Sequence, residues 1–242
     1  MIFKKSIIKI TGVTLVLSVI ISVGAYFAGM PKTVANSFHY FQAPDVKISK
    51  IKLEVVYFVP NDQKPDENFY ASLENAAKEI QNFHLEQFRG LSALRYAIYA
   101  KPVLGIESSA FYDGSNTAHG NPDAVKKIFL ETASRVFNPN SDMYDAKFTR
   151  RQNDELPIRI FIYQGVGASS GVLSAIISYD YFTKTNYGAT TLYHEILHNL
   201  GVPDGYDYIA GDAYSDDIMG GGRIKPISQT YIREEIKKQM ME

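Results

Sequence analysis

The chain has 242 residues, 45% hydrophobic and 21% charged, which suits one globular domain with a short additional segment. Its net charge of −1 provides no electrostatic basis for binding nucleic acid, so no nucleic-acid partner is expected. The sequence contains no cysteine, which excludes disulfides, cysteine nucleophiles and cysteine ligands to zinc.

The N-terminus carries a long apolar run, from about residue 10 to residue 30. Some 20 apolar residues can span a hydrocarbon core of about 30 Å. Lysines precede the run at Lys4, Lys5 and Lys9 and follow it at Lys32. The positive-inside rule then places the N-terminus in the cytoplasm and the rest of the chain outside. Residues 1–30 are therefore predicted to be a membrane anchor or a signal sequence.

The predicted location of the protein depends on whether that segment is cleaved. Cleavage after Ala35 would release a secreted chain. The hydrophobic region of a signal peptide is usually shorter, about 7–15 residues. The length of the run favours an uncleaved single-pass transmembrane helix, and secretion after cleavage stays as the alternative.

Strand and helix patterns alternate after a linker of mixed polarity at residues 31–51. In order they are a strand at 52–59, a helix at 69–83 ended by Gly90, a strand at 94–104 bent at Pro102, a helix from Pro122 to Val136, and strands at 158–163 and 172–179. Two histidines in this part, His84 and His119, are interpreted as packing or surface residues rather than ligands.

The segment between the last two strands, residues 165–171, is rich in glycine. It lacks the lysine and the following Ser/Thr of a phosphate-binding P-loop, so we reject a phosphate site there. We interpret it as a loop that lets the chain approach the rim of a cleft closely.

The stretch 191–204 contains the pattern His-Glu-x-x-His, with histidines at His194 and His198. Residues four apart on a helix point to the same side, so both imidazoles can reach one zinc ion at about 2.0–2.1 Å. Glu195 lies beside this metal rather than on it. From there its carboxylate can take a proton from the water that attacks a substrate.

The residues just after this helix predict a third ligand. Gly201 can adopt positive φ at no steric cost, so the helix can end there and the chain can turn back. Pro203 prevents the helix from resuming, and Asp204 is delivered toward the metal. Three protein ligands leave the fourth position of a tetrahedral zinc ion open, which is the arrangement of a catalytic site.

An amphipathic helix with incidental histidines is the alternative interpretation. The helix does carry an apolar stripe that we assign to the core, namely Leu192, Tyr193, Ile196, Leu197 and Leu200. His194 and His198 lie off that stripe, where a cleft would be. We favour the zinc site, because the pattern together with Gly201 and Asp204 is a rare combination in a chain of this length.

At these residues the chain resembles the metzincin metallopeptidases, whose extended motif is H-E-x-x-H-x-x-G-x-x-H/D, here in the Asp version. Metzincins also place a methionine in a tight turn beneath the metal, and Met219 within residues 217–221 fits that turn. Over residues 191–222 the motif looks most like that of the immune inhibitor A-like secreted peptidases. Some metzincins carry a tyrosine two residues after the methionine, where this chain has Gly221. Any assisting tyrosine would be another one, such as Tyr206, Tyr208 or Tyr214.

The resemblance implies an α+β fold with a twisted mixed sheet, helices, and the zinc helix at a cleft. It implies one peptidase domain at 52–242, with an upper part at 52–201 and a small lower part at 202–242 that contains the methionine turn. It also implies that the strand at 172–179 is an edge strand, which would hold an extended substrate by main-chain hydrogen bonds.

Acidic residues are dense after the zinc helix, at Asp204, Asp207, Asp212, Asp216 and Asp217. Solvated turns explain most of them, and a Ca²⁺ site is the second interpretation, because hard cations are held by clustered oxygen ligands. Further along, Ser228 is predicted to cap a final helix whose apolar stripe is Ile232, Ile236 and Met240.

The expected function is zinc-dependent hydrolysis of peptide bonds in peptide or protein substrates outside the cytoplasmic membrane, with Glu195 as general base. The first alternative is a membrane-tethered binding module that keeps zinc for stability and turns nothing over. A third hypothesis is a self-processing or adaptor-like enzyme that acts on one partner near the membrane. The presence of Glu195 favours an enzyme over the binding module.

Overall fold

The computed structural model describes residues 50–113, 122–152, 155–165, 167–171, 173–207, 211–212 and 216–241. The predicted membrane segment at 1–30, most of the predicted linker, and His119 lie outside these residues. Within the described part of the chain, no helix combines the length and the apolar character needed to cross a membrane.

A six-stranded sheet forms the centre of the described chain. Its strands are β1 (Ile51–Val59), β2 (Arg95–Ile98), β3 (Val103–Leu104), β4 (Leu156–Tyr163), β5 (Ala168–Gly171) and β6 (Ser174–Ser178). The order across the sheet is β2–β1–β4–β6–β5, and β3 pairs with the end of β1. Every pairing is parallel except that of β5 with β6, which is antiparallel.

The predicted strands at 52–59 and 158–163 are confirmed as the two central strands, β1 and β4. All nine residues of β1 are buried, as expected for a parallel strand that is covered on both faces. The predicted strand at 94–104 is divided into β2 and β3. The residues between Ile98 and Val103 belong to neither strand. One of them is Pro102, which has no N–H to donate to a neighbouring strand.

Helices cover both faces of the sheet. The described helices are α1 (Phe69–Gln87), α2 (Ser109–Asp113), α3 (Pro122–Arg135), α4 (Ala146–Thr149), α5 (Asp180–Thr183), α6 (Gly188–Asn199) and α7 (Glu234–Met241). One core joins α1 and α6 to the face of β1 that carries Leu53 and Val55. The other joins α3 to the face that carries Val56 and Phe58. The predicted mixed sheet is confirmed, but its strands are mostly parallel and lie between two helical layers, so the fold is mixed α/β and not the predicted α+β.

The edge of the sheet differs from the expectation. The predicted edge strand at 172–179 corresponds to β6, which lies between β4 and β5 and is therefore internal. The edge is β5, which lies within the glycine-rich segment interpreted above as a loop. The chain reverses between β5 and β6 in a tight turn, where Leu173 has a φ of 54°. Small residues such as those of β5 carry no apolar alternation, so the sequence pattern did not reveal this strand.

The part after Gly201 is short and irregular. It contains a two-stranded ribbon of β7 (Tyr206–Asp207) and β8 (Gly211–Asp212), followed by two 3₁₀ turns, Gly221–Ile224 and Ile227–Gln229. The prediction that Ser228 caps the last helix is wrong, because Ser228 lies inside the second 3₁₀ turn and α7 begins at Glu234. The apolar stripe is nevertheless buried at Ile232 and Ile236.

His84 is a packing histidine, as predicted, and it joins two helices. Its side chain on α1 is fully buried. The Nδ1 atom lies 2.7 Å from the Tyr193 hydroxyl on α6, and Nε2 lies 2.7 Å from the Ser92 hydroxyl. Burial lowers the pKa of His84 from 6.5 to about 3, so the ring is neutral in the folded protein.

This burial predicts a loss of stability in acid. Above pH 6.5 His84 is neutral in both the folded and the unfolded chain, and its contribution is complete. As the pH falls from 6.5 toward 3, only the unfolded chain binds the proton, so the free energy of unfolding decreases. The decrease is about 1.4 kcal/mol per pKa unit, at most a few kcal/mol in total. His84→Gln should therefore lose less stability than the parent between pH 7 and pH 4 in urea unfolding. Equal losses in the two proteins would contradict this account of the histidine.

Candidate metal site and active site

Helix α6 is buried along most of its length, from Gly188 to Leu197, with His194 and His198 off its apolar stripe. The five residues assigned to the core from the sequence are all buried, namely Leu192, Tyr193, Ile196, Leu197 and Leu200. The helix ends where predicted, since Gly201 has a φ of 84°, which an L-residue with a side chain rarely adopts. The chain then turns back and brings Asp204 next to His194 and His198.

Backbone carbonyls orient both histidines. His194 Nδ1 lies 2.9 Å from the carbonyl oxygen of Ile218, and His198 Nδ1 lies 2.8 Å from that of Val202. A carbonyl only accepts, so each Nδ1 carries the proton and each Nε2 keeps its lone pair. Proteins fix the tautomer of metal-binding histidines by hydrogen bonds of this kind.

Three lone-pair atoms converge in front of α6. His194 Nε2 and His198 Nε2 are 3.0 Å apart, and Asp204 Oδ1 lies 3.3 and 3.2 Å from them respectively. Two ligand atoms on a tetrahedral zinc ion are about 3.3 Å apart, given bonds of about 2.0–2.1 Å. The spacing of these side chains therefore fits one zinc ion held by His194, His198 and Asp204. Among the described residues, they are the one group of acids and histidines close enough to hold a metal.

Charge in the cluster also favours a cation. Burial alone would raise the pKa of the Asp204 carboxyl. When Nε2 of His194 and His198 also binds a proton, the hydrogen bonds from these rings and their positive charge outweigh burial and hold that pKa well below its usual range. Burial alone would lower the pKa of His198, yet the Asp204 hydrogen bond and the charge of Glu195 raise it above the ordinary value. The cluster thus stabilises positive charge, which a divalent metal ion would supply.

The site is open on one side. The exposed fraction of the side chain rises from 5% for His194 to 21% for His198 and 39% for Asp204. The cluster is therefore closed behind His194 and accessible to solvent beside Asp204. Three protein ligands would leave the fourth position of a tetrahedral zinc ion open, as in catalytic sites.

Met219 lies in a tight turn that contacts His194 and the residue after Asp204. Its side chain is fully buried, and the turn is closed by a hydrogen bond of 2.8 Å from the Gly220 amide to the Asp217 carbonyl. The preceding carbonyl, of Ile218, accepts from His194. The carbonyl of Met219 itself accepts a 2.7 Å hydrogen bond from the amide of Gly205, the residue after Asp204. The turn therefore holds the His194 ring and the segment that carries Asp204 in place together.

Glu195 lies beside the cluster and is 8% exposed. Burial raises the pKa of its carboxyl above the ordinary value, although the charges of His194 and His198 oppose the rise. A carboxylate with a raised pKa is suited to exchanging protons with water.

The acidic side chains that the structure describes after Asp204 do not support the calcium interpretation. Asp217 is fully buried and lies 2.7 Å from Arg233, so its carboxylate serves an ion pair behind the turn. Asp216 forms an exposed ion pair with Lys225 at 2.5 Å. The side chains of Asp207 and Asp212 lie outside the described part, as do those of the candidate tyrosines Tyr206, Tyr208 and Tyr214.

The structure brings together His194, His198 and Asp204, as the sequence predicts. The sequence pattern did not reveal the strand β5, which packs beside α6. The only available sign was a run of small polar residues between glycines, and that composition is equally common in loops.

Comparisons with known proteins give distant likenesses. No protein-family model matches the chain, and no curated protein matches it. Among solved structures, the chain is similar to catalytic inactive OgpA from Akkermansia muciniphila, solved with an O-glycopeptide substrate, glycodrosocin. That likeness has a TM-score of 0.49 and 14% identity, and it covers 82% of this chain and 63% of OgpA.

Two further solved structures give weaker likenesses. One is archaemetzincin from Methanopyrus kandleri, with a TM-score of 0.38, 9% identity, and coverage of 79% of this chain and 94% of that one. The other is a zinc-dependent peptidase from Methanocorpusculum labreanum, with a TM-score of 0.40, 12% identity, and coverage of 77% and 99%. Likenesses with TM-scores this low do not assign a function to this chain. The function proposed below is therefore argued from the residues of the chain itself.

Proposed function

We propose that this protein is a zinc-dependent peptidase that hydrolyses peptide bonds, with zinc held by His194, His198 and Asp204 and with Glu195 as general base. The observation that carries the proposal is the convergence of three lone-pair atoms beside a buried carboxylate. A zinc site that served stability alone would need no carboxylate at that position. The likeness in motif to the immune inhibitor A-like peptidases agrees with this function.

The chemistry is divided between the metal and the carboxylate. Bound zinc would supply a Lewis acid that polarises the scissile carbonyl and makes water nucleophilic near neutral pH. Glu195 accepts a proton from the attacking water and then donates it to the nitrogen of the departing amine. Burial of Glu195 keeps bulk water from competing for that proton.

The substrate would lie along β5. The Ser178 amide donates a 2.9 Å hydrogen bond to the Gly167 carbonyl, and hydrogen-bonded positions in an antiparallel pair alternate from there. The main-chain N–H and C=O groups of Ala168 and Ser170 consequently point away from β6, toward the edge. Within the described residues, no other strand pairs with that edge. An extended peptide could add there as a further strand, read mainly through its backbone.

We further propose that the peptidase acts outside the cytoplasmic membrane, held there by residues 1–30. This rests on the apolar run and the lysines before it. N-terminal sequencing of the protein from membranes tests it. A protein recovered only in soluble form, starting near Asn36, would remove the anchor and leave export in place.

A diverse peptide library tests the activity. Incubation with the purified, zinc-loaded chain should create new peptide termini that mass spectrometry detects, and chelation should prevent them. A folded, zinc-loaded chain that cleaves nothing would contradict the proposal and favour a binding module held by zinc.

A further inference from the structure

A buried ion pair lies behind the turn that contains Met219. The carboxylate of Asp217 is fully buried, and its Oδ2 atom lies 2.7 Å from Nε of Arg233, whose side chain is 12% exposed. Arg233 comes just before α7, and its Nη1 atom also lies 3.2 Å from the carboxylate of Glu235 in that helix. The pair therefore joins the Met219 turn to the start of the last helix.

The backbone next to Asp217 orients one proposed metal ligand. The carbonyl of the following residue, Ile218, lies 2.9 Å from Nδ1 of His194. Two amides of the turn, those of Gly220 and Gly222, donate to the carbonyl of Asp217 at 2.8 and 3.0 Å. Since Ile218 follows Asp217 directly, a shift of Asp217 would move the carbonyl that holds the His194 ring.

The segment that carries another proposed ligand packs on the same pair. Gly205, the residue after Asp204, has no side chain, and a Cβ atom placed on it would lie 3.3 Å from Asp217 Oδ2 and 3.4 Å from Nη2 of Arg233. The Gly205 amide also donates a 2.7 Å hydrogen bond to the carbonyl of Met219. The ion pair therefore lies directly behind the backbone that brings Asp204 to the histidines.

We propose that Asp217 and Arg233 are positioning residues, which hold the His194 ring and the segment carrying Asp204 at the spacing that one metal ion needs. The inference rests on the zinc site of the proposed function. A buried ion pair favours one separation of its partners, because a displaced partner leaves a buried charge without compensation. Apolar side chains of similar size are often at least as stabilising, so the expected contribution of this pair is local geometry.

Asp217→Asn tests the proposal by removing the charge while keeping the size of the side chain. We expect zinc affinity, measured by competition with a chelator, to fall roughly 10- to 100-fold, the range for groups that orient metal ligands. The absorption spectrum of Co²⁺ bound in place of zinc should also change, since it depends on the arrangement of the ligands. Parent-like affinity and spectrum in a folded Asp217→Asn protein would overturn the inference.

Glu54→Gln is the matched control, because it removes the charge of another fully buried carboxylate. Glu54 lies in β1, 3.5 Å from the buried ammonium group of Lys52. It alternates with Leu53 and Val55 along the strand, so its side chain lies on the face of the sheet opposite to α6. Both variants should lower the melting temperature, and only Asp217→Asn should lower zinc affinity. Equal losses of zinc affinity would show a general effect of lost stability and would overturn the proposal.

A double variant separates local geometry from stability. Asp217→Leu combined with Arg233→Met replaces the pair by apolar side chains, a change that often keeps or raises stability. We expect its melting temperature to lie near that of the parent while its zinc affinity remains lowered. Parent-like values of both would show that the pair acts through stability alone, which would overturn the inference and leave the zinc site in place. A parent protein that binds no zinc would instead overturn the proposed function, and this inference with it.

Discussion

Replacement of Glu195 by glutamine should lower kcat roughly 10²- to 10⁴-fold, the usual contribution of a positioned general base. Glutamine keeps the size and shape of the side chain and removes the group that accepts the proton. The zinc should remain, because His194, His198 and Asp204 are unchanged and Glu195 lies beside the cluster rather than in it. The measurements are steady-state kinetics on one cleaved peptide, together with the metal content of both proteins.

The result separates the role of the base from metal binding. Glu195→Gln with full peptidase activity and one zinc would show that the proton transfer assigned to Glu195 is wrong. A variant that loses its zinc would show that Glu195 takes part in holding the metal. If neither the parent nor the variant cleaves anything while both hold zinc, the tethered binding module becomes the better account.

Replacement of Asp204 by alanine should remove metal and activity together. Loss of a ligand leaves two histidines, and we expect zinc affinity to fall more than about 100-fold, beyond the range for changes in the second shell. The helix should survive, because its core residues and the Gly201 turn are untouched. Competition with a zinc chelator measures the affinity, and circular dichroism checks the fold.

Asp216→Ala provides the matched control for this change. Asp216 is an aspartate of the same part of the chain, but it pairs with Lys225 instead of approaching the histidines. Its variant should keep zinc affinity and kcat near the parent values. A folded Asp204→Ala protein with unchanged zinc content would exclude Asp204 as a ligand, and the same outcome in His198→Ala would exclude the predicted site as a whole.

The central part of the fold could be predicted because its signals are local. β1 and β4 are runs of β-branched and aromatic residues, and α1 repeats apolar residues at helical spacing. Such patterns indicate which segments are buried, but not which strands are neighbours. The internal position of β6 and the edge position of β5 depend on pairing between segments. Pairing of small residues such as Ala168 and Ser170 leaves no periodic trace in the sequence.

The candidate site was predictable to the extent that it is built from one short stretch. The helical spacing of His194 and His198 brings them together, and the turn at Gly201 brings Asp204 back to them. The groups that orient the site come from elsewhere. Ile218 is 24 residues from His194, and its contribution is a backbone carbonyl, which every residue possesses. Contacts of that kind depend on the folded path of the chain, so the types of residue do not reveal them.

The hydrolysis rate during zinc titration of the chelated chain tests the central claim most directly. We predict no peptide cleavage in the metal-free protein and a rate that rises in proportion to bound zinc, reaching its maximum at about one zinc per chain, since a catalytic site of three protein ligands holds one ion. Cleavage at full rate by the folded, metal-free chain would contradict a zinc-dependent mechanism. A rate that stays at zero with the site fully loaded would contradict the peptidase function itself.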